Sequence, residues 1–148
     1  MRAIKLGIGP LMLTILVASS VVVAALVLSN VLTYSNEIQG ISLTTGWNNS
    51  PKGLGTETAF QVSWTSPIGV SGPATIMFKI DRTGIVPGDV TLKYTLNSQM
   101  YTANFVQNGA GSIIAETIQL QSGSMSGSYP YSLIFNACGT YTMTIWVG

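Results

Sequence analysis

The sequence has no histidine, a single cysteine and very few charges, and each shortage removes a class of function. Without histidine the usual general base is missing, and with it the Ser/His/Asp arrangement and most zinc and copper sites. A cupredoxin-like electron carrier is excluded for the same reason. Cys138 has no second cysteine to bond within the chain, and among apolar neighbours it reads as a small buried hydrophobe. Charged residues make up 7% of the chain, against roughly 25% in typical soluble domains. The formal net charge of +1 creates no field that would steer nucleic acid or acidic ligands, so no nucleic-acid partner is expected. The polar surface has to come from Ser, Thr, Asn, Gln and Gly, and a surface so poor in charge suits packing against copies of itself.

The carboxylates are Glu37, Glu57, Asp81, Asp89 and Glu116, with no close acidic pair in sequence. Asp81 and Asp89 flank one loop, where they read either as turn caps that balance Lys79, Arg82 and Lys93 or as a weak Ca²⁺ site. The cap reading is the simpler one. No enzyme activity, cofactor or metal is expected from this inventory. Trp64 belongs to an expected core face, whereas Trp47 and Trp146 read as subunit contacts in preference to a sugar platform. Asn48-Asn49-Ser50 is an acceptor sequon for N-linked glycan in a turn-rich loop, which makes Asn48 a candidate modification site.

What the chain does have is a long apolar run, from Ile8 to Leu32, entered through Arg2 and Lys5 and left through Thr33 to Glu37. No charge interrupts it. A bilayer core needs about 20 apolar residues in a helix, and a plain secretory signal only about 7 to 15. The run is therefore expected to be a membrane-spanning helix that survives in the working protein. Positive charge before the run, and none after it until Lys52, keeps the N-terminus in the cytoplasm and turns the rest of the chain outward. The expected organisation is a short basic leader over 1–7, an apolar helix and linker over 8–36, and one extracytoplasmic domain over 37–148.

Beyond Glu37 the pattern changes from solidly apolar to alternating, the mark of half-buried strands. Phe60, Val62 and Trp64 alternate with Gln61, Ser63 and Thr65, and Ile76, Phe78 and Ile80 with Met77, Lys79 and Asp81. Further strands are expected around Glu37–Thr45, Val90–Leu96, Tyr101–Phe105, Ser112–Gln121, Tyr131–Phe135 and Tyr141–Val147, with a hairpin turn at Asn97-Ser98. Short strands at this spacing, with no helical pattern between them, predict a mainly β chain: an N-terminal apolar helix followed by an Ig-like antiparallel β-sandwich.

Two resemblances arise. Lys5-Leu6-Gly7 followed by Ile8-Gly9-Pro10-Leu11 and the uncharged run resembles the class III signal of archaeal type IV pilins, although Leu6 stands where those leaders often carry a charge. The resemblance covers about the first 32 residues. It implies a processing peptidase that cuts between Gly7 and Ile8, and a filament core built from Pro10, Leu11, Leu13, Leu16, Val22 and Leu26 of many copies. The second resemblance, looser, is to secreted matrix-filament proteins of the TasA and camelysin type, through Val31 to Asn36 and the strand Ile38 to Leu43. It implies that the leader is removed and that a strand holding Ile38, Ile41 and Leu43 completes the sheet of the next subunit.

Gly139-Thr140-Tyr141-Thr142 resembles the tyrosine corner of Ig-like domains, after which another strand normally follows. The last strand is therefore expected on an open edge that a partner covers. Together these readings give a homopolymer: an extracellular surface filament, membrane-inserted before assembly, whose head serves adhesion or cell contact. The alternatives are a matrix fibre assembled by strand exchange and a single-pass anchored surface module.

Overall fold

The computed structural model describes residues 26–34, as backbone, and residues 39–148. Residues 8–25 of the helix expected over Ile8 to Leu32 lie outside them. The eleven strands among the described residues are β1 (Leu26–Tyr34), β2 (Ser42–Thr45), β3 (Lys52–Gly53), β4 (Glu57–Thr65), β5 (Thr75–Asp81), β6 (Val90–Leu96), β7 (Gln99–Thr102), β8 (Val106–Gln107), β9 (Ser112–Gln119), β10 (Ser126–Phe135) and β11 (Gly139–Val147). They form two sheets, ordered β3-β1-β11-β5-β9-β8 and β2-β4-β10-β6-β7. All pairs are antiparallel except β1 with β11.

The alternation in sequence sets which side chains meet between the sheets. Phe60, Val62 and Trp64 of β4 are buried, as are Ile76, Phe78 and Ile80 of β5 and Tyr141, Met143, Ile145 and Val147 of β11. Across the interface the Phe60 and Phe78 rings lie 6.4 Å apart edge to face, and Tyr131 lies 5.0 Å from Phe78. Aromatic pairs at such distances contribute beyond their buried area. The predicted hairpin is present: Asn97 and Ser98 both adopt positive φ, 52° and 64°, and Leu96 pairs with Gln99 across a two-residue turn. Positive φ at both positions matches the right-handed twist of the strands it joins.

The winding departs from the Ig-like expectation. In an Ig-like sandwich the last two strands share a sheet, whereas here β10 and β11 lie in opposite sheets. The chain crosses between sheets at every connection except the β6–β7 and β8–β9 hairpins. The strips β1-β11-β5-β9 and β4-β10-β6-β7 give the strand order of a jelly roll.

Three further expectations are corrected. Leu26 to Leu32, assigned by sequence to the apolar helix, belongs to β1. Ser29, Asn30 and Thr33 favour helix poorly, and the strand satisfies main-chain groups of β11 that would otherwise lie unpaired. The last strand is consequently not an open edge, because β11 sits between β1 and β5. The strand expected over Glu37–Thr45 shortens to β2, since Gln39 and Gly40 form a turn at φ 59° and 71°.

Candidate functional site

The feature that sets this domain apart is the edge where β1 meets β11. Their parallel register runs from Val27 opposite Gly139 to Tyr34 opposite Ile145, with an irregularity between Ser29 and Val31. On its other side β1 is paired only at its start, Leu26 with Gly53 and Val27 with Lys52 of β3. The stretch beyond Val27 is thus held by main-chain bonds to one strand. An extended segment can add to a sheet edge through main-chain hydrogen bonds of this kind.

A polar cluster fixes the start of β11. The Tyr141 hydroxyl donates to the Ala137 carbonyl at 2.6 Å and accepts from Arg82 Nη1 at 2.6 Å. The same Nη1 reaches the Cys138 carbonyl at 3.2 Å, and Arg82 Nη2 donates to Asp89 Oδ2 at 2.6 Å. Asp89 Oδ2 also accepts from the Val86 amide at 3.0 Å, at the head of a short 3₁₀ helix begun by Pro87. The guanidinium carbon lies 5.1 Å from the Tyr141 ring centre. Burial pushes the Tyr141 pKa up, while the neighbouring Arg82 charge pulls against it. Gly139 makes this packing achievable: its φ is 147°, and a Cβ there would lie 2.6 Å from Arg82 Cδ.

This cluster answers two sequence readings. Asp89 is a turn cap and ion-pair partner of Arg82, while Asp81 pairs with Lys79 at 3.8 Å. The residues Ala137 to Tyr141 form the tyrosine corner that their sequence resembles. Cys138, expected to be buried, is exposed, because the corner turns it away from the core. A cleft of about 490 Å³ lies beside the corner, lined by Asp81, Arg82, Gly111, Thr140 and Thr142. Among the described residues no group of three or more Cys, Asp or Glu side chains could hold a metal. In that same range no helix is long and apolar enough to cross a membrane.

The other residues singled out by sequence fall in several places. Gly7, Ile8, Pro10, Leu11, Leu13, Leu16, Val22 and Ile38 lie outside the described residues. Leu26 opens β1 opposite Gly53. Ile41 is fully buried in the core, and Leu43 sits in β2 opposite Trp64. Trp47, read as a subunit contact, is buried instead against Phe60, ring centres 5.2 Å apart. Its indole meets the Phe60 ring edge to face, with Lys52 Nζ 5.0 Å from the indole centre. Trp146 is half-buried on the outer side of β11, opposite Met77. Asn48 is exposed. Sequence reasoning missed β1 itself, although Ser29, Asn30 and Thr33 interrupt the apolar run and could have marked it.

No protein-family model and no curated protein sequence matches the chain. A solved structure described as "AvmM Catalyzes Macrocyclization in Alchivemycin A Biosynthesis" is similar over 66% of each chain, with 14% sequence identity and a TM-score of 0.44.

Proposed function

We propose that this chain is a structural subunit of an extracellular surface filament, assembling through its apolar N-terminal segment and presenting the β-sandwich as a head for adhesion or cell contact. One observation carries the reading: the downstream end of the apolar run, Leu26–Tyr34, is a strand laid along β11 at a sheet edge. In this reading the apolar run both delivers the chain to the membrane and contributes a strand to the head. A surface with a formal net charge of +1 and 7% charged residues opposes close packing of copies very little.

The same observation favours assembly by strand addition over a filament core made wholly of helices. In strand addition the Leu26–Tyr34 segment of one copy lies on β11 of the next, with main-chain hydrogen bonds supplying affinity. The strand proposed for exchange moves from Ile38–Leu43 to Leu26–Tyr34, since Ile41 and Leu43 are built into their own domain. Thr33 and Thr144 stand opposite one another in the register, which offers a test. In a Cys138→Ser background, Thr33→Cys with Thr144→Cys is expected to give an oxidised ladder of covalent multimers from assembled material. Cross-linked monomers alone would mean that every copy keeps its own strand.

A further inference from the structure

The sequon at Asn48 is not used by the assembly edge, and the structure separates it from a second triplet of related form. The chain contains Asn48-Asn49-Ser50 and the rarer Asn-x-Cys form at Asn136-Ala137-Cys138. Asn136 Nδ2 donates to the Gly88 carbonyl at 3.2 Å and to Thr91 Oγ1 at 3.0 Å. Both of its amide hydrogens are therefore committed to holding the turn before β11. Asn48 is arranged the other way. Its Oδ1 accepts from the Ser50 amide at 2.9 Å, and its Nδ2 makes no hydrogen bond among the described residues. Asn48, Asn49 and Ser50 are all exposed, in the loop that leads to β3, the strand paired with the start of β1.

We propose that Asn48 is a site of N-linked glycosylation. The donor class is a glycan carried on a polyprenyl phosphate or diphosphate at the outer side of the membrane. Asn48 Nδ2 attacks the anomeric carbon of the donor, the bond from that carbon to the phosphate oxygen breaks, and the polyprenyl phosphate or diphosphate leaves with the electron pair. The displaced amide proton passes to a base of the transferase. The Ser50 amide hydrogen bond to Oδ1 holds the exposed side chain while leaving Nδ2 uncommitted among the described residues. The glycan then stands in the loop beside β3, next to the start of β1 that β3 pairs. Pro51 disfavours the helical region for Ser50 and limits how the triplet bends onto a transferase, so occupancy is partial and Pro51→Ala raises it.

This inference rests on the outward placement of the head, and the test keeps the two apart. The full chain is translated with microsomes whose donor is a dolichyl-diphosphate oligosaccharide, and glycan is read as a peptide N-glycosidase-sensitive mass increment. Gln99→Thr places a control sequon at Asn97, which is exposed in the β6–β7 turn. The expected result is one increment in the parent chain, lost in Asn48→Gln and in Ser50→Ala and retained in Asn136→Gln. A parent chain that stays bare while the control is glycosylated overturns the proposal and leaves the outward placement standing. A bare control overturns the outward placement and the proposal with it.

Discussion

Tyr141 uses both capacities of its hydroxyl, donating to the Ala137 carbonyl and accepting from Arg82, and so ties both of these to the start of β11. Tyr141→Phe leaves that carbonyl and the guanidinium short of a partner, and is expected to cost about 1–3 kcal/mol in urea unfolding at neutral pH. Gly139→Ala is expected to cost a similar amount, about 1–3 kcal/mol, because its Cβ would meet Arg82 Cδ at 2.6 Å. Burial pushes the pKa of Tyr131 far above its ordinary value, more strongly than the Thr117 hydrogen bond pulls it down, and those of Tyr94 and Tyr141 are raised as well. Below pH about 10 these phenols are protonated in both the folded and unfolded states, so their contribution is fully present. Above it the unfolded chain releases protons that the folded chain retains, so stability falls as pH rises. Tyr131→Phe is expected to make that decline shallower in an unfolding series between neutral and strongly alkaline pH. At this scale the sequence was legible where local chemistry decides, as at the Asp89 cap and the Tyr141 corner. It was not legible at Trp47 and Cys138, where burial depends on which strands lie next to one another.

At the scale of elements, β4, β5, β6 and β11 were readable because one face of each is core and the other is outside, which imposes a period of two. β1 was not, since its apolar residues continue a run long enough for a membrane helix, with only Ser29, Asn30 and Thr33 to mark a change, and its pairing with β11 is what makes it a strand. Ig-like and jelly-roll sandwiches share the same strand pattern and differ in which strands are neighbours, so the winding also stayed hidden until the pairing was known. A proline scan from Val31 to Tyr34 separates strand from helix in the working protein. Alternate N–H groups of an edge strand face its partner, so sensitivity is expected at every second position, with the intervening prolines tolerated. A helix would be broken at each position. The readout is unfolding midpoint together with yield of assembled material.

At the scale of the whole molecule, the candidate assembly edge lies on one side of the sandwich, with β1 and β3 closing one sheet and β2 the other. In the proposed filament, a formal net charge of +1 leaves cohesion between copies to main-chain pairing and apolar contact more than to ion pairs. Fibre mass is therefore expected to change little between low salt and about 1 M salt, where the Debye length falls to about 3 Å, as read by sedimentation. The measurement that tests the central claim most directly is the intact mass and N-terminal residue of this chain in material sheared from the cell surface. The account predicts high-molecular-weight fibres whose subunits begin at or before Leu26, so that the Leu26–Tyr34 strand is retained. Monomers alone, or fibres whose subunits begin after Tyr34, would contradict it.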